Sequence, residues 1–207
     1  MSRTLITGAF GQIGTELTMA LRERHGIENV IASGLRLPDH ADAHRNGPVE
    51  RLDVTDAAAV ADALERHEVR LIYHLAAVLS ARGESDPAAT WRINMDGLRN
   101  VLEAARRVPG CRVFWPSSIA AFGPGAPRDG TPQDTVMRPT TMYGVNKVAG
   151  ELLGDYYFER FGLDVRGVRY PGVISSTRLP GGGVTDYAVE IFYAALREGR
   201  YTAFVRE

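Results

Sequence analysis

Thr4-Leu5-Ile6-Thr7-Gly8-Ala9-Phe10-Gly11-Gln12-Ile13-Gly14 decides the fold of this chain. A short apolar run meets three glycines spaced three apart, and Ile13–Arg24 continues with apolar positions at helical spacing. In a strand–turn–helix, Gly8 permits the tight turn, Gly11 lets a pyrophosphate approach the backbone, and Gly14 lets helix and strand pack closely. The free amides and the dipole at the helix start would then hold phosphates. Glycines collect in any tight turn; the strand before and the helix after favour the phosphate reading.

The rest of the chain repeats the same alternation. Candidate strands are Thr4–Thr7, Asn29–Ser33, Val49–Leu52, Arg70–Ala76, Arg112–Pro116 and Val165–Tyr170. Between them, Ile13–Arg24, Asp56–His67, Ala88–Val108 and Thr141–Phe161 carry apolar positions at helical spacing. Asp86 before Pro87 reads as a helix start, and Gly162 as the stop after Phe161. Short strands alternating with longer helices predict an α/β fold, a doubly wound parallel sheet with ligands at the carboxyl ends of its strands. The long irregular stretches are Leu35–Gly47, Gly123–Pro139 and Ser175–Gly183, and loops of that length often cover a site. After a helix expected over Asp186–Glu198, Tyr201–Val205 reads as a strand with no element behind it, so the expectation is a truncated chain.

Composition excludes several classes. Charges of 24 basic against 25 acidic residues leave no electrostatic reason for nucleic acid or an anionic membrane as partner. No apolar stretch approaches the ~18 residues needed to cross a bilayer. The apolar run starting at Thr4 leaves no room for a secretion signal. One cysteine, Cys111, cannot form an internal disulfide and is expected to be a small core residue. A reducing, cytoplasmic location is the expectation. The five histidines are scattered, with no metal-ligand spacing; His74, within Ile72-Tyr73-His74-Leu75-Ala76, reads as a hydrogen-bonded core residue.

The chemistry gathers around Tyr143-Gly144-Val145-Asn146-Lys147. Four residues apart on a helix, phenol and ammonium share one face. A cation there favours phenolate, so Lys147 is expected to lower the Tyr143 pKa and make it a base nearer neutral pH. A dinucleotide cradle with an activated tyrosine points to hydride transfer between a nicotinamide and a carbon bearing oxygen. Ser117-Ser118 follow an apolar strand, so both hydroxyls should emerge at its carboxyl end, although serines also end strands in plain turns. Asn94 either holds a water or a backbone carbonyl near Lys147 or is a buried packing residue. Asp53 either reaches the adenine amine or opens the next helix. The acidic residue expected about 20 positions after the glycine turn is missing, because Gly34 stands at the strand end. Asp39 and Asp42 lie farther along the loop, and Arg36 either meets a 2′-phosphate or is a solvated charge.

Together the glycine turn, the strand His74-Leu75-Ala76-Ala77, the Ser117-Ser118 strand end and Tyr143-x-x-x-Lys147 resemble the extended short-chain dehydrogenase/reductase superfamily. Within it the chain is similar to the short-chain type of L-threonine 3-dehydrogenase, carried by Leu79–Glu84, Thr141–Lys147, Arg169–Ser175 and above all Pro180–Phe192. The resemblance implies oxidation of L-threonine to 2-amino-3-oxobutyrate with NAD. It makes Tyr143 the base, Lys147 its activator and a ribose ligand, and Ser118 a hydrogen-bond partner of the substrate oxygen. Ser80 and Thr185 would contact the amino acid. Gly8, Gly11, Gln12, Ile13, Gly14, Asp53, Leu75, Ala76, Ala77, Asn94 and Tyr170 would line the cofactor, together with Tyr143 and Lys147. Residues 1–174 would form the dinucleotide-binding domain and 175–207 the start of an incomplete substrate lobe. Pairing of the two long helices would give a homodimer, and Gly181–Gly183 would hinge a lid. The rival readings are a sugar-nucleotide epimerase or dehydratase and a non-catalytic dinucleotide-binding module.

Overall fold

The computed structural model describes residues 3–37, 46–175, 177, 179, 181, 183 and 185–203. In chain order the strands are β1 (Arg3–Thr7), β2 (Val30–Gly34), β3 (Val49–Arg51), β4 (Val69–His74), β5 (Arg112–Phe114), β6 (Ser117–Ser118), β7 (Asp164–Arg166) and β8 (Arg169–Tyr170). The helices are α1 (Gln12–His25), α2 (Ala57–Arg66), the short α3 (Ser80–Gly83), α4 (Pro87–Trp91), α5 (Gly97–Ala105), α6 (Met142–Phe161) and α7 (Tyr187–Glu198). Six strands form one parallel sheet in the order β3-β2-β1-β4-β5-β7. The chain winds outward from β1 in one direction and from β4 in the other, so the crevice between the carboxyl ends of β1 and β4 is the topological switch point.

Period-2 alternation sorts the side chains onto two faces. Leu5, Ile31, Ile72 and Val113 point into a core closed by Val60 and Leu64 of α2, Leu98, Val101 and Leu102 of α5, and Tyr157 of α6. Ile6, Val30 and Ala32 point the other way, against Leu17 and Leu21 of α1. Cys111 is buried in the first core, and burial pushes its thiol up to about 11, an inert core position as expected. His74 is fully buried and hydrogen-bonded to the Thr7 hydroxyl at 2.8 Å, also as expected.

Asp86 starts its helix as read, its side chain accepting from the Ala89 amide. Asp56 and Thr141, expected as the first residues of their helices, prove to be caps in the same way, accepting from the Ala58 and Ala59 amides and from Gly144. Gly162 ends α6 at φ 67°. Several boundaries differ from the sequence expectation. The expected strand Val165–Tyr170 divides into β7 in the main sheet and β8, which pairs with β6 in a separate two-stranded ladder. Gly167 makes the break: a Cβ there would lie 2.3 Å from the Trp115 carbonyl oxygen. The expected strand Arg112–Pro116 stops at Phe114, because Pro116 has no amide for a ladder. The expected single helix Ala88–Val108 runs through a π-helical turn at Arg92–Asp96 and ends at Ala105. Of the expected final strand, Tyr201–Ala203 is irregular and the rest lies outside the described residues. Asp39 and Asp42 lie outside them as well. Among the described residues no helix is long and apolar enough to cross a membrane.

Candidate active site

The glycine turn leads from β1 into α1 at the switch point. Gly8 has φ +67°, and a Cβ on it would sit 2.7 Å from the Ala76 amide nitrogen, so strand end and neighbouring loop meet here. A Cβ on Gly14 would fall 2.3 Å from the Gly8 carbonyl oxygen. Gly11 differs: its Cβ would make only ordinary contact, 3.4 Å from Gly8 O, so packing within the chain does not require glycine there. A group approaching the backbone from outside would. No side chain caps the start of α1, and its first turn carries no acidic residue. Amide donors and a positive helix end with no carboxylate in that turn fit a bound pyrophosphate.

Around this turn, Leu75 N donates to Thr7 O at 3.0 Å and Ala76 N to the Thr7 hydroxyl at 3.3 Å, fixing the chain that leads into Ala77. Gln12 donates to the Val173 carbonyl at 3.1 Å, and Glu16 accepts from Ser175 and Thr177 at 2.7 and 2.9 Å. Gln12, Ile13, Tyr170 and Ser175 thereby share the lining of a hollow of about 360 Å³ beside α1. Asp53 accepts from the amide and hydroxyl of Thr55 at 2.9 and 2.7 Å, so the structure uses one of its carboxylate oxygens in the turn that enters α2.

On the other side of the switch point α6 presses unusually close to the β5–β6 segment. A Cβ on Gly144 would be 2.4 Å from Ala120 O, and one on Gly150 would be 2.3 Å from the Trp115 ring. These two glycines let the helix sit down on the strand end, and that brings Ser118, Tyr143 and Lys147 together. The Ser118 hydroxyl lies near enough to the Tyr143 phenol to favour its charged form. The Lys147 ammonium is 5.2 Å from the centre of the Tyr143 ring, 4.4 Å from that of Trp115, and 2.6 Å from Pro116 O, to which it donates.

The titration behaviour corrects one expectation. Tyr143 was expected to fall in pKa beside Lys147; in the structure burial raises it, and the nearby Ser118 hydroxyl offsets only part of that. Lys147 itself is 4 % exposed, and burial brings it down to about 7 against the opposing pull of Glu151. The ammonium is turned to Pro116 O, so its charge is not spent on the phenol. His74 is held down to about 3 by burial and by the Lys147 charge.

Four residues beyond Lys147, Glu151 forms a network that sequence reading missed. Arg169 binds it through two nitrogens at 2.9 and 2.7 Å, and the Ser117 hydroxyl donates to it as well. Burial pushes the Glu151 carboxyl upward, but hydrogen bonds from Arg169 and Ser117 and the nearby cations leave it below its ordinary value. The i, i+4 spacing of Lys147 and Glu151 was the available signal. Asn94 sits in the π-helical turn, a frequent device at functional sites. Its amide accepts from Val78 N at 2.8 Å and donates to Val78 O and to Asn146 at 3.1 and 3.2 Å. Of the two readings left open, it clamps the Val78 backbone and is joined to Asn146, the residue before Lys147. Ser80 opens α3 just beyond that clamp, whereas Thr185 is exposed beside Gly172, at the approach to α7. Gly183 N is tied to the Asp186 carboxylate at 2.6 Å, and Gly182 of the expected hinge lies outside the described residues.

A parallel doubly wound sheet with an uncapped glycine turn at its switch point and a Ser–Tyr–Lys cluster beyond β5 defines a Rossmann-type fold of the extended short-chain dehydrogenase/reductase kind. The chain belongs to the NAD dependent epimerase/dehydratase family, whose model matches residues 4–201. A curated relative, an uncharacterised epimerase/dehydratase of Staphylococcus saprophyticus, is 53% identical over 205 residues, covering 99% of this chain and 64% of the relative. Among solved structures, L-threonine dehydrogenase of Clostridium difficile matches with a TM-score of 0.94 and 52% identity, over 100% of this chain and 65% of that one. A monomeric L-threonine 3-dehydrogenase from a metagenome matches with a TM-score of 0.93 and 45% identity, over 98% and 64%. The chain thus spans about two thirds of the length of its relatives.

Proposed function

We propose that this chain is the nucleotide-binding and proton-transferring part of an NAD-dependent oxidoreductase that oxidises the β-hydroxyl of L-threonine to 2-amino-3-oxobutyrate. The observation that carries the reading is the gathering of Tyr143, Ser118 and Lys147 just beyond the carboxyl end of β5, two strands along the sheet from the glycine turn. It is joined by 52% identity over the whole chain to a structure of L-threonine dehydrogenase. When bound, the nicotinamide supplies the hydride acceptor. Gln12 and Ile13 would hold the pyrophosphate through the first backbone amides of α1. Gly11, whose own amide donates to Gly8 O at 3.1 Å, would let it approach the backbone, while Gly8, Gly14, Leu75, Ala76, Ala77 and Asn94 would shape the wall that receives the nucleotide. Asp53 and Tyr170 complete its lining. Ser118 orients the substrate hydroxyl, Tyr143 takes its proton at the phenolate oxygen, and Ser80 and Thr185 contact the amino acid.

The raised pKa of Tyr143 makes the phenolate unfavourable until positive charge reaches it. Lys147, brought down to about 7 by burial, would supply that charge if its ammonium turned from Pro116 O toward the phenol oxygen. The test is Tyr143→Phe in the full-length protein, offered L-threonine and, separately, UDP-sugars. Threonine-dependent NADH formation is expected to fall at least about 100-fold while calorimetric NAD affinity stays within about twofold. Unchanged threonine turnover in the variant, or turnover of a UDP-sugar in its place, overturns the reading.

A further inference from the structure

The pyrophosphate cradle fits a dinucleotide, but the ribose end does not fit the usual NAD pattern. In such sites a carboxylate at the end of the second strand binds the ribose hydroxyls, and its charge repels a 2′-phosphate. Here β2 ends at Gly34, and the missing carboxylate is not a simple deletion. A Cβ on Gly34 would lie 2.9 Å from Cδ2 and 3.3 Å from Cε2 of Phe10, so the phenyl ring crowds the space a side chain would enter and would have to shift to admit one. Backbone hydrogen bonds hold Gly34 and the residue before Phe10. Ala9 N donates to Ser33 O at 3.0 Å, tying the glycine turn to β2, and Leu52 N donates to Gly34 O at 3.0 Å, tying Gly34 to the chain beyond β3. Asp53, at the neighbouring strand end, is engaged by Thr55. Two residues after Gly34 stands Arg36, exposed and, among the described residues, without an ion-pair partner.

We infer that this ribose subsite accepts a 2′-phosphorylated adenine dinucleotide, NADP, with Arg36 as the specificity-determining residue and Phe10 as the group that keeps a carboxylate out. The inference rests on the dinucleotide reading of the glycine turn and departs from the NAD preference its relatives suggest. A guanidinium presents paired donors to a phosphate and carries a permanent charge, so it rewards the phosphate over a bare hydroxyl. Leu35 and Leu37, on either side of Arg36 in sequence and each about half exposed, offer apolar surface of the kind an adenine face takes.

Calorimetry on the unaltered chain tests it first, with NAD, NADP, 5′-AMP and adenosine 2′,5′-bisphosphate as ligands. The two adenosine ligands isolate the ribose subsite from the nicotinamide and from substrate. The 2′-phosphorylated member of each pair is expected to bind within about tenfold of its partner or more tightly, and Arg36→Ala to weaken that member alone by about tenfold. In the double variant Phe10→Leu/Gly34→Asp the 2′-phosphorylated ligands are expected to lose at least about tenfold relative to NAD. NADP binding more than about tenfold weaker than NAD in the unaltered chain, or an Arg36→Ala loss equal for both members of a pair, overturns the inference and leaves the dehydrogenase reading standing. Failure of all four ligands to bind overturns the dinucleotide reading itself.

Discussion

Replacing Lys147 by Met removes a buried ammonium from beneath Tyr143 while keeping most of the side chain's length. Burial brings Lys147 from its ordinary 10.5 to about 7, so between those values the unfolded chain binds a proton that the folded chain does not. Stability therefore rises with pH through this window, by about 1.4 kcal/mol per unit once the folded lysine is neutral. With half the folded molecules still protonated at pH 7, the gain from pH 7 to 9 comes to about 2 kcal/mol. Above the unfolded value the full contribution is present; as pH falls it is lost, and below about pH 7 nothing further changes. The Met variant lacks this proton, so its stability should be flatter by that amount. Urea unfolding of both proteins at pH 7, 8 and 9 gives the comparison, since other groups titrating in this range are common to both. The neighbouring His74 titrates below its ordinary 6.5 in the native chain, which is why the series begins at pH 7. A stability difference that stays constant from pH 7 to 9 refutes the claim that burial governs Lys147. The same titration bears on chemistry, because it determines how much ammonium is available to Tyr143 at a given pH.

Two further substitutions probe what builds the site. Gly150→Ala adds about 1 kcal/mol of helix propensity, yet its methyl would lie 2.3 Å from the Trp115 ring beneath Lys147. Overpacking of that kind costs about 1–3 kcal/mol, so the midpoint of thermal unfolding should fall, and a rise would show that α6 can move away freely. Asn94→Ala strands the amide and carbonyl of Val78 together with one side of Asn146. A loss of about 2–3 kcal/mol by denaturant titration is expected, with weaker nucleotide binding through the loosened Ala76–Ser80 chain; a variant as stable as the parent would mean the clamp is ornamental.

Much of the architecture was legible because it is local. The 2.0 and 3.6 periods, Asp86 as a cap and Gly162 as a stop describe what each segment does with its own backbone groups. Hence α1, α2 and α6 fall close to their expected limits. Boundaries failed where a distant atom intervened, as at Gly167 against the Trp115 carbonyl. The site was legible to the same extent: Tyr143 and Lys147 share a face by spacing alone, and Ser118 was expected at a strand end.

What the residues determined unaided is an alternating α/β chain with a phosphate-shaped turn at its start and a phenol one helical turn from an amine. Only the folded molecule decided the state of those groups. Pro116 O draws the ammonium away, Trp115 and the core strip its water, and Glu151 is shared with Arg169 and Ser117. Likewise only the fold revealed that Phe10 closes off Gly34. The physical reason is common to all of these: helical and strand periods are written in neighbouring residues, whereas desolvation and steric exclusion depend on which distant atoms surround a group.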